Sequence, residues 1–502
     1  MSEPTLPPEP RPLFTRVAHG AAWIMGAGLF ARLIGAVNTI IIARLLVPED
    51  IGIVAIATIT MQLLQGVSDI GVSQAVVKFR DADRDDLNTL FTFSLARGVL
   101  IGVILFAAAP LAAQFYDDER LFWAFAGISV FPVLLGLINP KFYEFERELK
   151  FSREFLVTVA NRLLGVAVSL TIAILFRTYW AIILGMLASV FVQLVLSYML
   201  RPYLPAVSVK SFRRLVGFSG WLGGVSFMAA LNNKLDVPIL GRFIGQGGAG
   251  VYFIGFQLSE MVAGQVAMPL TRAIFPGLAE MQGDPARMRR AFLRGVEALG
   301  AFAMPAAFGM AFVASDFTYV VLSEKWSAAV PAIALLAPVV GLQSLFFATQ
   351  SYAVALGLTR LVFLRELVFF ITRMPVFIWA AWAHGLHGAI VAAAVMGLFH
   401  VALNLALYGR ASGAPFWEPL AAARRPLGAV AAMASWFVLV RPHFMAIGDL
   451  TPAMRLFIDA GMGAVIYAAA LYLLWRLAGR PAGIEVNIKD TLLTVREKIA
   501  GK

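Results

Sequence analysis

The chain has 502 residues, of which 60% are hydrophobic and only 14% are charged. With a mean hydropathy of +0.79, this composition excludes a soluble enzyme, a disordered chain and a coiled coil, and it is typical of a protein embedded in lipid. The absence of cysteine excludes disulfides, zinc–thiolate sites, iron–sulfur clusters and cysteine nucleophiles. The net charge is +11. Because the chain is so apolar, we expect its basic residues to contact an anionic membrane surface and not nucleic acid.

Apolar segments along the chain are continuous and do not alternate with polar residues, which predicts transmembrane helices and not barrel strands. The predicted fold class is therefore an all-α integral membrane protein with about 14 helices. Twelve helices are the alternative, because the thirteenth span is short. In chain order, the predicted spans are 15–43, 51–77, 87–113, 120–140, 154–176, 179–200, 215–241, 249–275, 295–321, 328–356, 361–383, 386–408, 426–440 and 456–475.

Lys and Arg residues between these spans are unevenly distributed. If the N-terminus is cytoplasmic, 28 of the 41 fall in segments on the cytoplasmic side and seven in segments on the other side. Cytoplasmic loops of membrane proteins carry such an excess. The distribution favours an even number of helices with both termini in the cytoplasm, where the basic loops face anionic lipid of the inner leaflet.

An internal repeat aligns the end of the first predicted helix with the end of the seventh when the chain is shifted by 198 residues. Arg44 then falls on Arg242, and Gly52 falls on Gly250. Copies six helices apart run in the same direction, which predicts two parallel six-helix lobes around a central cavity, as in transporters. A chance alignment of apolar sequence is the alternative.

The predicted organisation follows from the spans and the repeat. Two helices remain outside the repeat. The C-terminal tail has apolar residues at helical spacing, so it could form an amphipathic helix on the membrane surface, and a frayed end is the alternative. The segments are a disordered cytoplasmic tail at 1–13, an N-lobe at 14–200, a C-lobe at 213–409, extra helices at 420–476 and a cytoplasmic tail at 477–502.

Short motifs at the ends of predicted helices 1, 7 and 8 resemble those of a known family. They are Arg-Leu-Leu-Val-Pro-Glu-Asp-Ile-Gly at 44–52, Asp-Val-Pro-Ile-Leu-Gly-Arg-Phe-Ile-Gly at 236–245, Gly-Ala-Gly-Val-Tyr at 248–252 and Arg-Ala-Ile-Phe-Pro at 272–276. They are similar to motifs of the Wzx-type polysaccharide flippases of the MOP exporter superfamily, and the resemblance covers about residues 14–410.

The resemblance implies a multi-pass protein of the bacterial inner membrane. Such a protein moves undecaprenyl-diphosphate-linked oligosaccharide repeat units to the outer leaflet, for assembly of O-antigen, capsule or exopolysaccharide. It also implies alternating access, coupling to H+ or Na+, and other polysaccharide assembly proteins as partners.

Charged residues within the predicted spans are the first candidates for cargo contact. A charge near the bilayer centre costs at least about 2.5–3.5 kcal/mol, so each needs a partner, an aqueous cavity or a route to the interface. Guanidinium groups bind phosphate oxygens, and amides suit sugar hydroxyls. The candidate cavity residues are Arg32, Arg97, Arg162, Lys234, Arg373, Gln343 and Gln350.

Most of these candidates have a structural alternative. Arg32 lies 12 residues before Arg44, near mid-membrane, and its alternative is a salt bridge to Asp69. A polar stripe at Thr158, Gly165 and Ser169, on one face with Arg162, favours a cavity there. For Arg97, Gln343 and Gln350, pairing between helices is the alternative, and for Lys234 it is a local ion-pair network with Asp236. Arg373 lies seven residues after Glu366 on the same face, so the two could share one aqueous track.

Three acidic residues in the spans are candidates for ion coupling or for ion pairing. Burial raises the pKa of a carboxyl group and a neighbouring Arg lowers it, so the sequence leaves both roles open. These residues are Asp69, Asp236 and Glu260.

Motifs for other chemistry are absent from the sequence. There is no Gly-x4-Gly-Lys-[Ser/Thr] loop, so ATP is not expected to be the direct energy source, and no metal-binding motif, cofactor or catalytic residue is expected. We therefore do not expect an enzyme, although a membrane polysaccharide polymerase is one alternative, disfavoured by short outer loops. A MATE-like small-molecule antiporter and a lipid II flippase are the others.

Overall fold

The computed structural model describes residues 28, 30, 33–67, 83–147, 151–210, 220–281, 283–445 and 450–480. All regular structure in these ranges is helical, without a strand. Contacts between Cα atoms divide the chain into two compact units, Met1–Gly220 and Trp221–Lys502. The predicted lobe boundaries at 14–200 and 213–409 stay predictions.

Seven helices make up the described part of the first unit. A 3-10 turn at Pro140–Tyr143 and a short helix at Glu144–Arg147 connect the fifth to the sixth. The seven are α1 (Leu33–Leu45), α2 (Pro48–Val67), α3 (Arg84–Tyr116), α4 (Glu119–Ile128), α5 (Val130–Gly136), α6 (Phe151–Phe176) and α7 (Trp180–Leu200).

The second unit continues with eight longer helices and several short helical segments. The longer helices are α8 (Gly220–Lys234), α9 (Asp236–Glu280), α10 (Pro285–Phe312), α11 (Val330–Ser344), α12 (Phe347–Ala355), α13 (Thr359–Ser412), α14 (Arg424–Ser435) and α15 (Pro452–Leu477). The short segments are Ala314–Phe317, Thr318–Leu322, Glu324–Ala329, Glu418–Ala422, Trp436–Val440 and Arg441–Met445.

Eight helical stretches in the described ranges are long and apolar enough to cross a membrane. The all-helical membrane fold is thereby confirmed, whereas the count of fourteen spans stays a prediction. The longest stretch, α13, has 54 residues and breaks at Gly385, where φ is 60° and ψ is −145°. A straight helix of that length would extend about 80 Å, well beyond a hydrocarbon core of about 30 Å. The break falls between the predicted spans 361–383 and 386–408.

Helix α9 is interrupted in the same way. Gly245 has a φ of 81°, a conformation that glycine adopts without the strain a Cβ would cause. The break lies between the predicted spans 215–241 and 249–275. In addition, a turn at Leu235 separates α8 from α9.

The start of α10 differs from the predicted start at residue 295. The helix begins at Pro285, because the Asp284 side chain accepts a hydrogen bond of 2.9 Å from the Arg287 N–H and proline occupies the first turn. Such caps fix a helix start, whereas hydropathy marks only the part of a helix that lipid covers. The basic residues 287–294 therefore lie on a helix and not in a loop.

The predicted span 120–140 is two helices, α4 and α5, joined at Ser129. Close packing explains how α5 is held against α3. A Cβ built on Gly98 would lie 2.2 Å from the carbonyl oxygen of Pro132, and one on Gly136 would lie 2.5 Å from that of Ser94. The predicted span 328–356 is likewise divided, into α11 and α12.

The core of the second unit is built around α10 and includes the C-terminal helices. Phe292 lies between Tyr352 and Tyr408, with ring centroids 5.0 and 5.1 Å away. Met433 of α14 and Tyr467 of α15 are buried in the same cluster. The extra helices predicted at 420–476 are therefore an integral part of this unit.

Candidate functional site

The second unit contains a cavity of about 420 Å³, within the range of small-molecule sites. It is lined by residues of α8, α9, α11, α12 and α13. The predicted site residues that line it are Glu260, Gln343, Gln350 and Arg373.

Arg373 of α13 forms a buried ion pair with Asp236, the first residue of α9. Its Nη2 lies 2.5 Å from Asp236 Oδ2, and the side chains are 9% and 7% exposed. The Tyr252 hydroxyl donates to the same carboxylate oxygen at 2.7 Å, and Arg373 Nη1 donates to the Asn232 carbonyl oxygen. Arg373 and Asp236, both predicted as site residues, are thus paired with each other.

A second buried ion pair joins Arg365 to Glu366 on α13. Asn232 links the two pairs, because its side-chain amide donates to Glu366 Oε2 at 2.8 Å while its carbonyl oxygen accepts from Arg373. Arg365 also donates to Asn404 Oδ1 at 2.6 Å. We call this set the charge network: Asn404, Arg365, Glu366, Asn232, Arg373, Asp236 and Tyr252.

Within the charge network, two guanidinium groups face two carboxylates. Its positive charges are balanced, which is how proteins usually tolerate buried charge. Several buried polar atoms nearby have no hydrogen-bond partner in the described part of the chain, among them Asp236 Oδ1, Asn232 Oδ1 and His400 Nε2. They retain hydrogen-bonding capacity for water or a polar ligand.

The remaining polar lining of the cavity consists mainly of amides. Gln343 is half-buried and donates to the Gly397 carbonyl oxygen at 3.1 Å, and Gln350 and Asn233 also line the wall. Glu260 is exposed to the cavity and forms no salt bridge within the described residues. Aromatic faces complete the wall, at Phe256, Phe346, Phe347 and Phe369.

This lining suits neutral polyols better than phosphates. Amides donate to and accept from hydroxyl groups, and aromatic rings offer apolar faces. A phosphate would need cations that are not already neutralised. Among the described residues, no group of three or more His, Cys, Asp or Glu could hold a metal ion.

Lys234 is half-buried at the end of α8 and does not belong to the cavity lining, although it lies between Asn232 and Asp236 of the charge network in sequence. Arg32 and Asp69 lie outside the described residues. Their predicted roles, and the predicted salt bridge between them, stay predictions.

In the first unit, two predicted cations contact neighbouring helices. Arg97 of α3 donates from Nη2 to the Gln65 carbonyl oxygen of α2 at 3.1 Å. Arg162 of α6 lies against Gly35 of α1, where a Cβ would be 2.0 Å from its Nη2. The half-buried Arg162 side chain keeps a buried Nε without a hydrogen bond to the described residues.

The polar stripe on α6 does not have the role we predicted from its sequence. Gly165 and Ser169 pack against α7, because a Cβ on Gly165 would lie 2.9 Å from the Gly185 carbonyl oxygen and one on Gly185 would lie 2.7 Å from Ser169 Cβ. Small residues let two helices approach closely in a membrane. Gly165 and Ser169 therefore form a helix contact, and Arg162 lies against α1.

Sequence reasoning missed Arg365, His400 and Asn404. Arg365 immediately precedes Glu366 and is 8% exposed. His400 and Asn404 are one helical turn apart in an otherwise apolar helix, and Asn404 donates to the His400 carbonyl oxygen at 2.9 Å. That spacing was a detectable signal.

Comparison with solved structures identifies the fold. The structure of the lipid II flippase MurJ in an inward closed conformation matches with a TM-score of 0.72 and 12% identity, covering 92% of this chain and all of that one. An inward-facing multidrug resistance MATE family transporter of the MOP superfamily matches with a TM-score of 0.57 and 15% identity, over 76% of this chain and 95% of that one. The fold is therefore that of the MOP superfamily.

Comparison of sequences identifies the family. The lipopolysaccharide biosynthesis protein WzxC of Escherichia coli is 25% identical over 65% of this chain and 67% of its own length. The succinoglycan biosynthesis transport protein ExoT of Rhizobium meliloti is 24% identical over 86% of this chain and 88% of its own length. The family model described as "Polysaccharide biosynthesis protein" matches residues 41–331, more than half of the chain. The chain belongs to this family of polysaccharide biosynthesis proteins, and its resemblance to the Wzx-type flippases of the MOP superfamily is confirmed.

Proposed function

We propose that this protein is a flippase that moves undecaprenyl-diphosphate-linked oligosaccharide repeat units across the bacterial inner membrane by alternating access. The observation that carries the proposal is the cavity of about 420 Å³ in the second unit, where amide and charged side chains lie among apolar helices. Polar groups buried in membrane helices are costly and mark transport pathways. Relatives named for lipopolysaccharide, succinoglycan and teichuronic acid biosynthesis support a cargo destined for a surface polysaccharide.

The cavity chemistry favours the sugar part of that cargo. Gln343, Gln350 and Asn233 can exchange hydrogen bonds with hydroxyl groups, and the aromatic residues of the wall can cover the apolar faces of sugar rings. Arg373 is neutralised by Asp236, so we assign it to the architecture of the cavity and not to phosphate binding.

We assign the diphosphate to the cations of the first unit. Arg162 has no carboxylate partner within the described residues and keeps a free Nε, whereas Arg97 already donates to a backbone carbonyl. We add Arg32 to this assignment because of its predicted position near mid-membrane. The polyprenyl chain can remain in lipid during transfer.

The remaining parts of the proposal concern energy and topology. We propose coupling to H+ or Na+ through Asp69 or Glu260, two lobes that alternate, fourteen spans, both termini in the cytoplasm, and contact with other polysaccharide assembly proteins. The excess of cytoplasmic Lys and Arg supports this orientation. No catalytic step is part of the proposal.

The test is to delete the gene in its source organism and to identify lipid-linked glycans on each leaflet of the inner membrane. We expect a diphosphate-linked repeat unit to accumulate on the cytoplasmic leaflet and the surface polysaccharide to be lost. Repeat units that reach the outer leaflet unpolymerised would instead indicate a polymerase. An unchanged glycan profile with altered drug resistance would indicate a small-molecule antiporter.

Complementation of the deletion strain tests the cavity itself. Gln343→Ala combined with Gln350→Ala should restore protein to the membrane but not the polysaccharide. Gln114→Ala, at an exposed position near the end of α3, is the matched control and should complement fully.

A further inference from the structure

The first unit contains a second cleft, of about 590 Å³, at the ends of its helices. It lies between the start of α3, the turn after α5 and the chain that leaves α7, which the predicted topology puts on the cytoplasmic side. Charged residues of both signs line it: Asp83, Arg84, Lys141 and Glu144.

The two acidic residues of this cleft are occupied within the protein. Asp83 caps α3, because its side chain accepts from the Asp86 N–H at 2.7 Å. Glu144 Oε2 lies 3.6 Å from Nη1 of Arg201. Both carboxylates therefore have partners other than Arg84 and Lys141.

The two basic residues are not paired in this way. Arg84 is exposed, and the Lys141 ammonium lies 5.6 Å from the centre of the Tyr203 ring. Neither forms a salt bridge with another described residue. Two cations that converge on one cleft beside an aromatic ring form a site that suits a phosphate group.

The chain that follows α7 is fixed along α3 in an amphiphilic arrangement. The Tyr203 hydroxyl donates to Asn88 Oδ1 at 2.7 Å, and the Ser208 N–H donates to Thr92 Oγ1 at 2.9 Å. Apolar side chains of the same segment are largely exposed, with Leu204 at 84%, Val207 at 81% and Val209 at 63%, and Leu204 also lines the cleft. Exposed apolar side chains next to basic residues are typical of segments that lie in a membrane interface.

We propose that this cleft binds the phosphate headgroup of an anionic phospholipid of the inner leaflet, with Leu204, Val207 and Val209 inserted at the boundary between headgroups and acyl chains. The charges supply the specificity, because Arg84 and Lys141 face a headgroup that carries the opposite sign. This cleft shares no lining residue with the cavity of the second unit, and its proposed ligand does not depend on what the protein transports.

The experiment is native mass spectrometry of the purified full-length protein with added dioleoylphosphatidylglycerol or dioleoylphosphatidylcholine. We expect the wild type to retain phosphatidylglycerol preferentially. Arg84→Gln with Lys141→Gln should lower its apparent affinity about thirtyfold, the effect of two cations at a membrane surface. Arg287→Gln with Arg290→Gln removes the same charge from exposed positions on α10 and should leave the affinity unchanged.

Two further measurements separate the sources of the phosphate and the role of the apolar residues. Leu204→Ser with Val207→Ser should weaken lipid retention without lowering the thermal midpoint, since both side chains are exposed. Inorganic phosphate should not displace the lipid. The proposal would be overturned if the wild type and the Arg84/Lys141 variant retained the lipid equally, or if the control variant lost as much affinity as that variant. It would also be overturned if inorganic phosphate displaced the lipid, or if the serine variant retained the lipid as well as the wild type.

Discussion

Buried charges of the second unit neutralise one another through short chains of hydrogen bonds. Asp236 receives hydrogen bonds from both Arg373 and Tyr252, and Asn232 connects this pair to Glu366. Removing one member of a buried ion pair leaves an uncompensated charge, which costs more than removing both. The packing of α8, α9 and α13 therefore depends on each buried charge keeping its oppositely charged partner.

Arg373→Met should strongly destabilise the protein. The variant leaves the Asp236 carboxylate buried beside Tyr252 alone, at an expected cost of about 3–5 kcal/mol. The double variant Asp236→Asn with Arg373→Met should recover most of the loss. Thermal unfolding of the detergent-solubilised protein measures both, and a double variant no more stable than the single one would contradict the ion-pair account.

Gly35→Ala should impair transport with little loss of stability. The new Cβ would lie 2.0 Å from Arg162 Nη2, and the end of a flexible side chain can move away at small cost, so the main effect is a displaced guanidinium. Polysaccharide export in the deletion strain is the measurement. Gly28→Ala is the control, since a Cβ there meets no atom within 4 Å. Full export by the Gly35 variant would show that the placement of Arg162 is unimportant.

Element ends and helix contacts decide how the spans are arranged. The hydropathy pattern predicts where α3, α6, α7 and α13 lie to within a few residues, because lipid requires a continuous apolar surface. The pattern does not predict the early start of α10, which depends on the cap at Asp284. It also does not distinguish a polar stripe that lines a cavity from one that packs on a neighbour, as at Gly165 and Ser169.

Gly185→Ala should weaken the contact between α6 and α7. A Cβ at this position would lie 2.7 Å from Ser169 Cβ and 2.9 Å from the Gly165 carbonyl oxygen. Backbone atoms cannot move away cheaply, so we expect a loss of about 1–3 kcal/mol, as for other overpacked sites. The amount of monodisperse protein after heating reports this loss. Gly461→Ala on the exposed face of α15 should behave as wild type, and equal behaviour of the two variants would contradict the account.

The segment Glu418–Ala422 is attached to α10 and α13 by a contact that depends on pH. Arg289 Nε donates to Glu418 Oε2 at 2.8 Å, and the Tyr408 hydroxyl donates to the same oxygen. Partial burial acts to raise the pKa of Glu418, but these hydrogen bonds outweigh it and lower the pKa below its ordinary value of 4.5. A lowered pKa means that the carboxylate stabilises the folded state above the ordinary value and ceases to do so as the pH falls through the lowered one.

Glu418→Gln should therefore lower the thermal midpoint at pH 7. The difference from wild type should shrink as the pH falls below the ordinary pKa and disappear once the pH is below the lowered pKa of Glu418. Hydrogen exchange of residues 418–422 across the same pH range provides an independent measurement. A difference that persists unchanged into acid would show that the charge of Glu418 is not what holds the segment.

The sequence of this protein predicts its class better than it predicts its functional site. Composition and apolar runs predict a helical membrane protein, and short motifs predict its family. For the site, Gln343, Gln350, Glu260 and Arg373 meet in one cavity, but the sequence could not show that Arg373 is neutralised by Asp236. Pairing between residues 137 positions apart depends on tertiary structure, which spacing within one helix cannot supply.

We propose that this protein moves a lipid-linked oligosaccharide across a bilayer without a second protein. The most direct test uses proteoliposomes that contain the purified protein and a labelled undecaprenyl-diphosphate oligosaccharide on one leaflet, with an impermeant glycosidase added to the opposite side. We predict rapid loss of label with wild-type protein under an H+ or Na+ gradient, and a much slower loss with the Gln343→Ala/Gln350→Ala variant. Loss of label at the rate of protein-free liposomes would contradict the account.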